Sequence, residues 1–185
     1  MEGKLPIPVV VAVVVRRGPN GLPQVMTHIR DASWPGYDTF YNGTWEAVGE
    51  RMESGENVFQ AVARGCKEEI GLLNNDSFNC RIVDFEMCQW KMFTTGKEDY
   101  ILALEPYIFL QQVEGPQPWI GPGFIVIVPD DFEPKPATGE TSGHRWWKPE
   151  ELLAELKQNP AAFMGLHLPL IKKTCEDILA GKITI

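Results

Sequence analysis

Gly49-Glu50-Arg51-Met52-Glu53-Ser54-Gly55-Glu56, continued by Arg64-Gly65-Cys66-Lys67-Glu68-Glu69-Ile70-Gly71-Leu72, reads as a loop feeding a helix that ends in two adjacent carboxylates. From Asn57 to Ile70 the apolar residues Val58, Ala61, Val62, Cys66 and Ile70 fall near helical spacing, and Gly71 supplies a left-handed stop. Positions 64 and 65 lie one turn before Glu68 and Glu69, so these residues project from neighbouring parts of one surface. Two acids side by side repel unless a cation or a base sits between them. An Arg64–Glu68 pair at this spacing contributes only about 0.3–0.5 kcal/mol, too little to account for the cluster. Hard divalent cations such as magnesium take oxygen ligands, commonly one or two carboxylates with substrate phosphates and water. A solvated, charged helix end is the plainer alternative.

Around this segment the chain reads as alternating strands and helices. Val9 to Val15 is the longest unbroken apolar run, β-branched and far short of the roughly 18 residues a membrane span needs. It predicts a buried strand over Val9–Arg16, joined through Asn20-Gly21 to a second strand over Gln24–Arg30. The segment from Asp31 to Thr44 reads as an ordered loop. Further strands are expected around Arg81–Trp90, Tyr100–Gln112 and Phe124–Val128. Helices follow over Leu152–Leu156, with Pro149 and two acids at its start, and over Leu168–Ala180. This order predicts a mixed sheet covered by helices.

The 185 residues suit a single domain over 1–185. A net charge of -8 argues against polymeric nucleic acid and anionic membrane as partners, while leaving a small anionic substrate screened by metal. No export signal is evident, so a cytoplasmic location is expected. Cys66, Cys80, Cys88 and Cys175 form no CxxC pair, and His28, His144 and His167 are scattered. Reduced, mostly buried thiols fit better than a zinc site.

Gly49, Glu56, Arg64, Glu68, Glu69, Gly71 and Leu72 resemble the signature of Nudix hydrolases. That signature runs Gly, five residues, Glu, seven residues, Arg-Glu, an aliphatic residue, any residue, Glu-Glu, any residue, Gly, aliphatic. Counted from Glu56, its first glycine falls at position 50, where this chain has Glu50 with Gly49 beside it. Its glutamate after the arginine falls at position 65, where the chain has Gly65, and Cys66 takes the aliphatic place. Trp45 to Gly49 is similar to the strand that enters the family's box. Arg145 to Leu152 resembles the strand and helix that close many members, and the likeness extends loosely over Pro8–Leu156.

The resemblance implies an α/β fold, a Nudix-like α/β/α sandwich with a mixed β-sheet. It also implies hydrolysis of a nucleoside diphosphate linked to another moiety, with Mg2+ or Mn2+. By the same analogy Glu68 and Glu69 are the principal metal ligands, Glu56 ligates or orients, and Arg64 holds the carboxylates. The carbonyl near Gly49 completes the shell, and Glu140 serves as a further ligand and as the base in place of the group missing at 65. Glu50 and Glu53 are weaker candidates for that place. Gly65 also motivates the alternative of a Nudix-fold nucleotide-binding or regulatory protein with little turnover. A glycine inside a helix costs about 0.5–1 kcal/mol relative to alanine, and close packing of another backbone is the plain explanation for it. Trp34, Tyr37, Phe40 and Tyr41 could stack a base, although core packing or a homodimer contact suits any one of them better. Arg16, Arg17, Arg30, Lys91 and Lys97 could meet phosphates, although isolated basic residues are usually solvated.

Overall fold

The run Val9–Val15 lies in β1 (Ile7–Arg17), where every residue from Val9 to Val15 is buried. Such a run is apolar on both faces because the strand is covered on both sides. Val9, Val11, Val13 and Val15 enter one core, and Val10, Ala12 and Val14 enter the other. In the computed structural model, residues 5–31, 39–72, 81–82, 90–94, 100–115 and 118–185 are described.

The main sheet is mixed. It is built around β1, which pairs antiparallel with β2 (Pro23–Arg30) and β4 (Val48–Arg51) and parallel with β9 (Trp119–Ile127). β10 (Thr141–Trp147) and the short β3 (Trp45–Glu46) pair with β2. β5 (Arg81–Ile82) and β8 (Ile108–Gln111) pair with β9. β6 (Trp90–Thr94) and β7 (Tyr100–Leu104) form a separate antiparallel pair.

One layer is α1 (Val58–Ile70), whose Ala61, Val62, Cys66 and Ile70 pack with Val10, Ala12 and Val14. The other is α2 (Pro149–Gln158) and α3 (Leu168–Leu179), whose Leu152, Leu170, Ile171 and Cys175 pack with the odd-numbered valines. The result is the expected α/β/α sandwich with a mixed sheet. Short 3-10 turns at Thr39–Tyr41 and Pro160–Ala162 complete the connections.

Two strand expectations need correction. The single strand over Tyr100–Gln112 is two, because Glu105-Pro106-Tyr107 interrupts it and proline has no N–H for a ladder. The strand expected from Phe124 begins earlier, at Trp119. Its Gly121 and Pro122 disguise it, yet Gly121 is required where β1 passes, since a Cβ there would lie 1.7 Å from the Val9 carbonyl oxygen. Of the strand expected over Arg81–Trp90, residues 83–89 lie outside the described region. Cys66 and Cys175 are buried and form no disulfide with each other, whereas Cys80 and Cys88 fall outside the described region.

Candidate active site

Helix α1 starts at a capping box. The Asn57 side chain accepts from the backbone N–H of Phe59 and Gln60, and the Gln60 side chain accepts from the N–H of Asn57. Nearly two turns on, Arg64 lies beside β4 and the loop before the helix. Its Nε and Nη2 donate to the two oxygens of Glu56, each at 3.0 Å, and Nη2 also donates to the Arg51 carbonyl at 2.7 Å. Its Nη1 contacts Glu50 and lies 3.6 Å from Glu68. The guanidinium thus has Glu56 as its principal partner, and the helix-internal pair with Glu68 is the longest of its contacts. These hydrogen bonds hold the Glu56 carboxyl below the usual carboxylate range.

Glu69 points to the sheet. It is 5 % exposed, and its Oε1 accepts from the Gly49 N–H at 3.3 Å. Its Oε2 lies 3.1 Å from His28 Nε2, close enough for an ion pair but out of line for a hydrogen bond, and it receives none among the described residues. His28 sits on β2 directly across from Glu46 on β3, with Nε2 3.5 Å from Glu46 Oε1. Arg30 Nη1 reaches the other Glu46 oxygen at 3.4 Å.

Burial disfavours a charge on His28, but Glu46 and Glu69 outweigh it and hold its pKa up to about 9. Burial likewise pushes Glu69 up, to about 7, against the pull of His28. In Glu46 the burial penalty is overcome by His28 and Arg30, which hold it below its ordinary value. His167 is the reverse of His28. Burial lowers it to about 4, so it is neutral, and its Nδ1 accepts from the Ala47 N–H at 3.1 Å. Its ring also excludes any side chain at Gly49, where a Cβ would lie 2.8 Å from ring atoms.

The end of α1 is closed by the segment before β10. The orphan carbonyls of a helix terminus need donors. The N–H of Ala137 and Thr138 donate to the Glu68 carbonyl at 2.9 and 3.3 Å, Thr141 Oγ1 to the Glu69 carbonyl at 2.9 Å, and Lys135 N–H to the Ile70 carbonyl at 2.9 Å. The same segment carries Glu140, whose carbonyl accepts from the Asp31 N–H at 2.8 Å.

These parts surround a cavity of about 340 Å³ lined by Glu46, Gly49, Glu50, Glu53, Arg64, Glu69 and Glu140, with Arg30, Trp119, Met164, Leu166 and His167 on its other walls. Burial, together with repulsion from Glu69, pushes Glu50 up to about 7 against the pull of Arg64. Of the residues singled out by sequence, Gly49, Arg64, Glu69 and Glu140 meet at this cavity. Glu56 and Glu68 do not line it: Glu56 is held by Arg64, and Glu68, 3.6 Å from Arg64, has 35 % of its side chain exposed. Arg30 lines it, whereas Arg16 is occupied by Phe132 and Glu133, and Arg17 by the Ile185 carbonyl. Phe40 and Tyr41 line a separate hollow, and Trp34, Tyr37 and Lys97 lie outside the described residues.

Glu46, His28 and His167 were not legible as a group in the sequence. The signal that could have marked them is polarity inside otherwise buried strand segments, Thr27-His28 and Trp45-Glu46-Ala47.

The donor chemistry fits a hard divalent cation. The residues that line the cavity bring carboxylates from Glu46, Glu50, Glu53, Glu69 and Glu140, and no cysteine. Among the described residues, no three acidic, histidine or cysteine side chains converge as a finished metal shell.

The fold and this cleft define a class: an α/β/α sandwich with an acidic pocket lined in part by β4 and α1. The chain belongs to the Nudix family, because the family model for the NUDIX domain matches residues 6–165. Members of this family are generally hydrolases that use divalent metal ions. No curated protein matches the sequence.

Several solved structures share the fold. A NUDIX-family hydrolase from Clostridium perfringens is 15 % identical with a TM-score of 0.58, over 95 % of this chain and 99 % of that one. The NUDIX domain of Shewanella oneidensis NrtR, complexed with ADP ribose, is 16 % identical with a TM-score of 0.58, over 95 % and 90 %. A C. elegans Ap4A hydrolase binary complex is 12 % identical with a TM-score of 0.56, over 95 % and 98 %.

Proposed function

We propose that the protein hydrolyses the phosphoanhydride bond of a nucleoside diphosphate linked to another moiety, with Mg2+ or Mn2+ as cofactor. The observation that carries this reading is that Glu50, Glu69 and Glu140, from a strand, a helix and a loop, line one cavity together with Arg30. ADP ribose and Ap4A, named with two of the structural neighbours, are both nucleosides carrying phosphoanhydrides.

In this reading Glu68, Glu69, Glu140 and the Gly49 carbonyl hold the cation. When bound, the cation supplies positive charge that offsets the diphosphate and makes the attacking water more acidic. Arg64 and Glu56 keep the loop fixed to α1, so that the carboxylates do not drift apart under their own repulsion. Arg30 faces a phosphate. Trp119 is buried on the cavity wall. Water oxygen attacks phosphorus, its proton passes to the Glu140 carboxylate, and the anhydride P–O bond breaks with its electron pair leaving on the departing phosphate.

A panel of nucleoside diphosphate derivatives, offered with Mg2+ or Mn2+ and followed by chromatography, tests this. Turnover that stops with a chelator is expected, as is a loss on the order of 100-fold or more in Glu69→Gln. Nucleotide binding without turnover would replace the hydrolase by a nucleotide-binding or regulatory protein. Full activity of Glu69→Gln would remove that residue from the cation site.

A further inference from the structure

We infer that Glu50 and Gly65 are a reciprocal exchange, in which Glu50 on β4 supplies the cation-binding carboxylate that the Nudix signature places on α1; this rests on the hydrolase reading above. The signature has glycine at 50 and glutamate at 65, and this chain has the two residue types the other way round. In the structure the two positions touch. A Cβ built on Gly65 would lie 2.9 Å from Glu50 Cγ, 3.1 Å from Val48 Cγ1 and 3.2 Å from Glu50 Cβ, so that Glu50 would have to shift to admit one. The Glu50 side chain therefore fills the space into which a side chain at 65 would project. Glycine at 65 is what makes room for it.

The exchange also delivers the carboxylate to the right surroundings. Glu50 lines the cavity with Glu69 and Glu140, and among the described residues only its Oε2 is engaged, by Arg64. Glu69 is more than nine-tenths buried on the same wall, where His28 Nε2 lies 3.1 Å from its Oε2 and the Gly49 N–H donates to its Oε1. A purely structural role for Glu50 is a poor fit. Arg64 already has both oxygens of Glu56, so a further acid brought beside Glu69 and Glu140 adds repulsion that a neutral residue would avoid. A divalent cation removes that repulsion.

Mn2+ binding, read from the spin-resonance signal of the free ion and by calorimetry, tests the exchange independently of turnover. The variants are Glu50→Gln, Glu50→Gly, Gly65→Glu and the double variant Glu50→Gly/Gly65→Glu, with circular dichroism to follow folding. Glu50→Gln, which keeps the shape and a hydrogen-bond acceptor for Arg64, is expected to weaken Mn2+ at least ~10-fold. The double variant is expected to bind within ~3-fold of the native chain although each single variant does not, the signature of two coupled positions. Native Mn2+ affinity and turnover in Glu50→Gln would overturn the exchange and leave the hydrolase reading standing. A native chain that neither binds Mn2+ nor turns over any substrate would instead overturn the hydrolase reading, and the exchange with it. Should the glycine variants unfold, Glu50→Gln decides the matter.

Discussion

Arg64 grips Glu56 through two hydrogen bonds of 3.0 Å each, one from Nε and one from Nη2, and so ties the loop before α1 to the helix nearly two turns beyond its start. A lysine keeps the charge but cannot form this fork. Arg64→Lys is expected to lower stability by about 1–2 kcal/mol in urea denaturation, with turnover falling further than stability. Native stability in this variant would show that charge alone fixes the loop.

Gly71 closes α1 with φ +70°, and a Cβ there would lie 2.1 Å from the Lys135 carbonyl oxygen. Gly71→Ala meets both a strained backbone and a collision, so a loss of roughly 2–4 kcal/mol is expected. For a chain of this length, thermal unfolding should fall on the order of 5–15 °C. An unchanged midpoint would mean that the 135–141 segment does not need its close seat on the helix.

Thr141 donates its hydroxyl to the Glu69 carbonyl, next to Glu140. Thr141→Val keeps the shape and removes the donor, which should cost about 1 kcal/mol. If the segment positions Glu140 for proton transfer, kcat should fall more than KM rises. Equal kcat at reduced stability would confine Thr141 to capping.

Asp177 is 7 % exposed and accepts from Lys173 at 2.5 Å, Tyr107 at 2.7 Å and Lys182 at 3.0 Å. Burial opposes its charge, but these three donors outweigh that and hold its pKa far below the usual range. A carboxyl depressed in the folded state stabilises above its unfolded pKa, near 4, and that stabilisation is lost as pH falls through the folded value. Asp177→Asn should therefore cost about 1–3 kcal/mol at pH 7, and the difference from the native chain should shrink progressively below pH 4. A gap that stays constant to pH 2 would show that the carboxylate charge is not what matters.

Local chemistry made much of the fold legible. The unbroken apolar run of β1 required cover on both faces, and the spacing from Val58 to Ile70 with Gly71 required a helix with a left-handed end. Long-range pairing was not legible. That His28 lies across from Glu46 follows from β3 joining an edge of β2, which no local pattern encodes. Arg64 could be placed near Glu68 by helical spacing, but its stronger partner Glu56 lies outside the helix and depends on how the loop folds back. Glu140 sits on the cavity because its segment caps carbonyls at the end of α1, a tertiary demand that β-strand and helix periodicities do not record.

The 2.9 Å approach between position 65 and Glu50 also constrains how this sequence can change over generations. Two glutamates cannot share that space without displacement, and two glycines leave it empty of charge. A lineage moving one substitution at a time between the two arrangements must cross either a strained pair or one deprived of its acid. A relative with glutamate at both positions would be expected to carry a compensating change at Val48 or Arg64, the residues that contact them.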